Sequence, residues 1–120
     1  MMQANKFFSY KIKQTHYRMR INDIVCLESC KRKMIIHMAD GSQEEFYGRL
    51  RDIYQSDLME SGFIYIHKSF VVNFNYIGRL KYLELTLADG TVLPVSQKRY
   101  KDIKARYLSF LDAHNGVRRY

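Results

Sequence analysis

A stretch near the middle of the chain limits its possible folds more than any other. Apolar side chains there fall on alternate positions, at Phe70, Val72, Phe74 and Tyr76. A period of two is typical of a β-strand with one buried face. Three polar side chains come directly before it: His67, Lys68 and Ser69. The pattern therefore predicts a half-buried strand that anchors a polar loop.

The length and charge of the chain limit its class. A chain of 120 residues fits one domain with its own apolar core. We expect that single domain to span residues 1–120, with its core at about 6–111 and a basic tail at 112–120. The formal charge of +8 favours acidic partners such as nucleic acid or an anionic surface.

The cysteines and the leader region indicate the compartment. Cys26 and Cys30 are separated by three residues, and no charged and apolar leader with a small-residue cleavage site precedes them. This favours a reducing, cytoplasmic environment. A zinc site would need two further ligands such as His37 and His67, whereas cysteines in an apolar strand are far more often core residues. We expect no metal, no other cofactor and no membrane segment, since no apolar run approaches ~18 residues.

Alternation and turn residues predict the other strands. Residues 7–12 and 17–21 alternate around a polar turn at 14–16, which predicts an opening hairpin, and the apolar run at 25–27 predicts an inner strand. Asp40-Gly41 and Asp89-Gly90 are hairpin signals. A tight two-residue loop at Asp40-Gly41 would set Ile35 opposite Phe46 and His37 opposite Glu44. Pro94 predicts an edge strand.

Two segments have helical spacing instead. The first is an amphipathic helix that ends at Ser61-Gly62 and carries Leu50, Ile53, Tyr54, Asp57 and Leu58. The second begins after Ser96 as N-cap, and its apolar face consists of Tyr100, Ile103, Tyr107, Phe110 and Leu111.

Catalytic motifs are missing from the sequence. It has no Gly-x-Ser-x-Gly elbow, no phosphate-binding glycine loop and no His-Glu-x-x-His pair. We interpret its neighbouring acidic residues as ordinary surface charges. The sequence therefore does not predict an enzyme.

Three polar, basic clusters lie where an extended apolar run meets a turn or a helix start. They are Lys31 to Lys33, His67 to Ser69, and Ser96 to Arg99. Lys98 and Arg99 occupy the first helical turn, where the helix dipole disfavours cations. Free N–H groups beside two cations suit a phosphate, although solvated surface charge is the simpler alternative. The lack of tryptophan and of a glycine-aromatic RNA signature favours duplex DNA.

The ordered motifs resemble the LytTR family of bacterial DNA-binding domains over about residues 6–111. The resemblance rests on 23–29, Gly41 with Leu50, Phe63, the motif 67–73 with Ile77, and 89–96. It implies a mainly β fold of stacked small antiparallel sheets with one or two short helices. It also implies that loops, rather than a recognition helix, enter successive major grooves of promoter DNA.

The resemblance assigns each basic cluster to one DNA-facing loop. The first loop has Lys31, Arg32 and Lys33, the second has His67, Lys68 and Ser69, and the third has Ser96, Gln97, Lys98 and Arg99. Family members commonly have arginine where this chain has Lys68 and Gln97. Base preference therefore cannot be transferred from the family.

We expect a sequence-specific duplex DNA-binding domain that regulates transcription. The resemblance implies the output domain of a two-component response regulator, either cut from a longer chain with a receiver domain or acting alone. It further implies a monomer in isolation that pairs on tandem DNA sites. The alternative is a basic protein-interaction module that binds an acidic partner or an anionic surface.

Overall fold

The computed structural model describes residues 6–55 and 57–115. Its strands within that part of the chain are β1 (Phe7–Ile12), β2 (Thr15–Arg20), β3 (Ile24–Cys30), β4 (Lys33–Met38), β5 (Gln43–Tyr47), β6 (Phe63–His67), β7 (Phe70–Asn73), β8 (Ile77–Lys81), β9 (Glu84–Leu87) and β10 (Val92–Pro94). Its α-helices are α1 (Asp57–Glu60) and α2 (Gln97–Asn115), and 3₁₀-helices span Ile21–Asp23, Leu50–Gln55 and Phe74–Tyr76.

The strands form three antiparallel sheets. β1 pairs with β2, a three-stranded sheet has the order β10-β9-β8, and a five-stranded sheet has the order β5-β4-β3-β7-β6. β10 is an edge strand, as Pro94 predicted. The predicted fold class, small stacked antiparallel sheets with short helices, is confirmed.

The five-stranded sheet is the central layer, and its strands β3, β6 and β7 are largely buried on both faces, whereas β5 is mostly exposed. Along β6, Phe63 and Tyr65 belong to one core cluster while Ile64 and Ile66 belong to another on the opposite face. Successive strand side chains point to opposite faces, so a strand covered on both sides becomes a continuous apolar run. The prediction of a half-buried strand after Ser69 is therefore wrong, because both faces of β7 are covered.

Different elements cover the two faces. The three-stranded sheet and α2 cover one face with Leu85, Leu87, Leu93 and Ile103. The β1–β2 hairpin and the helical segments before β6 cover the other with Phe8, Met19, Ile53 and Leu58. The hairpin also stacks Tyr10 on Phe46 of β5, with ring centroids 4.5 Å apart. The domain thus has two cores that share one sheet.

The β4–β5 turn has one residue more than the sequence predicted. Ile35 lies opposite Glu45 and His37 opposite Gln43, so the predicted pairs with Phe46 and Glu44 are wrong. The Met38 carbonyl accepts from Gly41 N–H at 3.0 Å, and Gly41 has a φ of 89°. A glycine in the left-handed region after such a turn adds a bulge and shifts the register by one.

The β9–β10 turn repeats this geometry. Gly90 has a φ of 95°, and its N–H donates to the Leu87 carbonyl at 2.9 Å. In each turn an aspartate oxygen accepts a backbone N–H two residues ahead at 2.9 Å, from Ser42 to Asp40 and from Thr91 to Asp89. The hydroxyl and then the backbone N–H of Ser42 lower the pKa of the Asp40 carboxyl, and the backbone N–H and then the side chain of Thr91 lower the pKa of the Asp89 carboxyl.

The first hairpin and first helix also differ from their predictions. The β1–β2 turn is the two-residue Lys13-Gln14 rather than residues 14–16. The expected amphipathic helix is a 3₁₀-helix at Leu50–Gln55 followed by the single turn of α1. Leu50, Ile53 and Leu58 are buried as predicted, and the three-residue step from Leu50 to Ile53 fits the 3₁₀ period. The side chains of Tyr54 and Asp57 lie outside the described part.

α2 packs through the face that the sequence predicted. Ile103 is fully buried, and Phe74 stacks on Phe110 with centroids 5.2 Å apart. The helix continues to Asn115, so residues 112–115 are helical rather than a tail, and residues 116–120 lie outside the described part. No helix in the described part of the chain is long and apolar enough to cross a membrane.

Asn73 is the buried polar side chain among the described residues, with 1% of its surface exposed. Its Nδ2 donates to the Ile24 carbonyl at 3.0 Å, and its Oδ1 accepts from Asn75 N–H at 2.9 Å. The first bond ties the end of β7 to the start of β3. The second caps the 3₁₀-helix Phe74–Tyr76, which is why the strand stops before Phe74.

Asn73→Ala should lower the free energy of unfolding by about 2 kcal/mol, because it leaves a buried carbonyl and an N–H group without partners. Denaturant unfolding measures the difference. The neighbouring Asn75, which is exposed, provides the control: Asn75→Ala should change stability by less than about 0.5 kcal/mol. Equal losses in the two variants would contradict this role of Asn73.

Candidate nucleic-acid interface

The three predicted basic clusters meet at one end of the central sheet. Antiparallel pairing sets Glu28 opposite Phe70, so the β3–β4 turn lies beside the β6–β7 turn. The Ser69 carbonyl accepts from Ser29 N–H at 2.8 Å. The Ile66 carbonyl accepts from Ser96 N–H at 2.8 Å, which attaches the start of α2 to the end of β6. We call the three clusters together the basic edge.

Two of the clusters line one cleft. This open cleft of about 680 Å³ is lined by His67, Lys68, Ser96, Gln97, Lys98 and Arg99. The structure therefore brings the second and third predicted loops together. The first loop, on the β3–β4 turn, follows Ser29 and so flanks the cleft through the Ser29–Ser69 hydrogen bond.

The β3–β4 turn consists of Lys31 and Arg32 alone. Cys30 pairs with Lys33, and Lys31 has a φ of 61°, in the left-handed region that non-glycine residues rarely adopt. Both turn side chains are exposed and form no ion pair within the described part of the chain. Their charges are available to a partner.

Lys33 differs from its two neighbours because it belongs to β4. Its Nζ lies 3.4 Å from Glu45 Oε1 and 6.0 Å from the centroid of the Tyr47 ring. An exposed pair of this kind contributes little to stability, but it partly neutralises the cation. Of the first cluster, Lys33 is the least suited to bind a phosphate.

The β6–β7 turn orients His67. Its Nδ1 accepts from Ser69 N–H at 3.1 Å, and its ring lies 6.0 Å from that of Phe70. With Nδ1 as acceptor, the neutral imidazole carries its proton on Nε2, which leaves a donor for a ligand. The adjacent Lys68 is exposed and has no ion pair among the described residues.

Ser96 occupies the predicted N-cap position, but its hydroxyl has a different environment from the one predicted. The Ser96 carbonyl accepts from Arg99 N–H at 3.1 Å. Its Oγ is buried and forms no hydrogen bond within the described residues. The N-cap side-chain bond is therefore not made, and the hydroxyl keeps its hydrogen-bonding capacity.

The two cations in the first turn of α2, Lys98 and Arg99, have different surroundings. The Arg99 guanidinium carbon lies 5.2 Å from the ring centroid of the buried Tyr65, a cation–π distance. Lys98 is exposed and has no ion pair in the described part. The Arg99 guanidinium thus packs on a buried ring, while the Lys98 ammonium carries its charge in solvent.

Sequence reasoning missed a residue next to this cleft. Tyr82, on the β8–β9 turn, is 61% exposed, and its hydroxyl lies 3.4 Å from Gln97 Nε2. The sequence feature that could have identified it is an aromatic residue placed in the turn between two strands. Its position beside Gln97 depends on a contact across 15 residues, which no local pattern reveals.

The candidate zinc ligands have other roles. His37 Nε2 lies 2.9 Å from Glu28 Oε1 on the neighbouring strand. Cys26 is a core residue, as predicted, and burial followed by the charges of Glu28 and Asp89 raises its pKa to about 12. Cys30 is exposed, so the core prediction is wrong for it. Within the described residues, no three His, Cys, Asp or Glu side chains are grouped to hold a metal ion.

Comparison with known proteins gives the family. A sequence model of the LytTr DNA-binding domain matches residues 14–107. The chain belongs to this family. It is thus a DNA-binding domain of LytTr type, and the match spans all three clusters of the basic edge.

A solved structure gives the same fold. This LytTr domain is similar to the LytTr DNA-binding domain of a protein described as a methyl-accepting/DNA response regulator from Bacillus cereus, with 21% sequence identity and a TM-score of 0.63. The likeness covers 87% of this chain and 97% of that one. A search of curated proteins found no match.

Substitutions at Phe70 and Lys68, at the β6–β7 turn of this LytTr domain, should affect different properties: the first stability and the second DNA binding. Phe70→Ala should lower the free energy of unfolding by about 2 kcal/mol, below the 3–5 kcal/mol of a fully buried phenylalanine, because its ring is half-buried. Lys68→Ala should change stability by less than about 0.5 kcal/mol and weaken DNA binding. Thermal unfolding and a binding titration check both, and a greater stability loss in Lys68→Ala would reverse the assignment.

Proposed function

We propose that this LytTr domain binds duplex promoter DNA sequence-specifically, with the three loops of the basic edge entering successive major grooves. The observation that carries the proposal is the meeting of three polar, basic segments, far apart in sequence, through two backbone hydrogen bonds of 2.8 Å. Positive charge that forms no ion pair within the described part of the chain, on Lys31, Arg32, Lys68 and Lys98, suits a polyanion.

Two groups of side chains divide the work in this proposal. Lys31, Arg32, Lys68 and Lys98 bind phosphates, which supplies affinity without base preference. Arg99 and the N–H groups at the start of α2 bind a further phosphate. His67, Ser69 and Gln97 carry the hydrogen-bonding groups suited to base edges, whereas the Ser96 hydroxyl is buried.

In the cell, the domain acts in transcription regulation as the output domain of a two-component response regulator. The support is the family and the likeness to a domain whose parent is described as a response regulator. The domain either belongs to a longer chain with a receiver domain or acts alone, and the proposed compartment is the cytoplasm. The isolated domain is monomeric and two copies pair on tandem sites.

Phosphate contacts can be counted from the salt dependence of binding. Each phosphate neutralised adds about 0.9 to the slope of log K against log salt concentration. Lys98→Ala should reduce that slope by about 0.9, the value for one phosphate contact, and should weaken binding to all duplexes alike. Lys104→Ala is the matched control, because Lys104 is an exposed lysine further along the same helix. A Lys98 effect limited to one sequence, or an equal effect of Lys104, would contradict the assignment.

Sequence preference is tested by selecting bound duplexes from a random pool. Wild type should enrich a consensus. The Gln97 amide matches N7 and N6 of adenine, whereas arginine matches O6 and N7 of guanine, and such a contact discriminates by about 1–3 kcal/mol. Gln97→Arg should therefore change one position of the consensus from adenine to guanine.

Two results would count against the proposal. A random pool without enrichment would favour the alternative, a basic module that binds an acidic protein or an anionic surface. Identical consensus sequences for wild type and Gln97→Arg would mean that Gln97 does not contact a base. Salt dependence alone does not separate these functions, because both are electrostatic.

A further inference from the structure

The β8–β9 turn adds a fourth segment beside the basic edge. We propose that Tyr82 on this turn is a positioning residue that holds the amide of Gln97 and so sets the base preference of the third loop. The inference rests on the proposed function, duplex DNA binding by the basic edge, and adds to it a residue that determines specificity.

The turn is fixed to the start of α2. Leu83 has a φ of 61°, a conformation that a leucine adopts only when its surroundings impose it. The Leu83 carbonyl accepts from Val95 N–H at 3.1 Å, one residue before Ser96. The next residue, Ser96, donates its N–H to the Ile66 carbonyl. Two consecutive backbone hydrogen bonds therefore connect the segment before α2 to the β8–β9 turn and to β6.

The ring of Tyr82 is held by packing although most of it faces solvent. It meets Tyr100 edge to face, with centroids 5.2 Å apart and an interplanar angle of 84°. Aromatic pairs favour this arrangement. Tyr100 lies in the first turn of α2, as Gln97 does. The ring contact therefore fixes the position of the Tyr82 hydroxyl relative to Gln97.

The hydrogen bond between the Tyr82 hydroxyl and Gln97 leaves the amide groups that would contact a base unoccupied. Gln97 Nε2 donates to Tyr82 Oη at 3.4 Å. An amide has two N–H hydrogens and one carbonyl oxygen, so one hydrogen and the oxygen remain. Those two are the groups that match N7 and N6 of adenine. Tyr82 therefore restricts the long side chain of Gln97 without using the groups that would contact the base.

This arrangement means that Tyr82 acts on DNA binding through Gln97 rather than by stabilising the fold. Both side chains are exposed, so their hydrogen bond encloses no core and contributes little to stability. Its consequence appears when DNA binds, because a glutamine that is already oriented loses less side-chain entropy on contacting a base.

Tyr82→Phe tests the assignment, because it keeps the ring and its contact with Tyr100 while removing the hydroxyl. The readout is competition between duplexes that differ only at the position that Gln97→Arg changes. Preference for the selected base should fall about two- to tenfold, the range for one net hydrogen bond. Thermal unfolding and affinity for unselected duplex should match those of wild type.

Two further variants make the test specific. Tyr17→Phe removes a hydroxyl from an exposed tyrosine of the β1–β2 hairpin and should leave base preference unchanged. In a Gln97→Ala background, Tyr82→Phe should have no additional effect, because a positioning residue needs the side chain that it positions.

The outcomes separate this inference from the proposed function. If wild type has no base preference, the proposed function fails and this inference fails with it. If wild type has a preference that Tyr82→Phe retains, only the role of Tyr82 is overturned. If Tyr82→Phe weakens binding equally with and without Gln97, Tyr82 contacts DNA itself and does not act through Gln97.

Discussion

Burial of strands β3, β6 and β7 of the five-stranded sheet on both faces is the constraint on which the rest of the domain depends. This part of the sheet has no solvent-exposed face, since β6 and β7 carry buried side chains on both sides, most of them apolar. Two separate layers must therefore cover it, and the chain supplies them before and after the central motif. The buried Asn73 joins the neighbouring strands β3 and β7 and ends β7, so it fixes where this strand stops and the connection to β8 begins.

A sheet held from both sides gives its turns fixed positions. β3 and β6 end and β7 begins at the same side of the sheet, and the bonds from Ser29 to Ser69 and from Ser96 to Ile66 join the segments found there. Packing of Ile103 and Phe110 anchors α2 far from its first turn. The basic edge therefore consists of short segments whose backbones are set by the core, as a surface that must match a regular duplex requires.

Local chemistry was enough to predict the strands, the edge position of Pro94 and the three clusters. It failed where long-range contacts decide. A hairpin pattern does not distinguish a two-residue loop from one with an added bulge at Gly41, and alternation at Phe70 and Val72 does not reveal that Val71 is buried as deeply. Lys33 resembled its neighbours in sequence, yet pairing with β5 places it beside Glu45. Tyr82 reaches Gln97 only in the folded chain.

These differences follow from what each kind of contact requires. Phosphate binding needs charge near a surface, and charge is visible in the sequence as Lys31, Arg32, Lys68 and Lys98. Base recognition needs a donor or acceptor held at one angle. Two of the side chains proposed to contact bases have an orienting partner: Ser69 for His67 and Tyr82 for Gln97. Ser69 lies on the same turn as His67, but Tyr82 comes from a turn of another sheet, so the orientation proposed for Gln97 depends on a contact that only the fold makes.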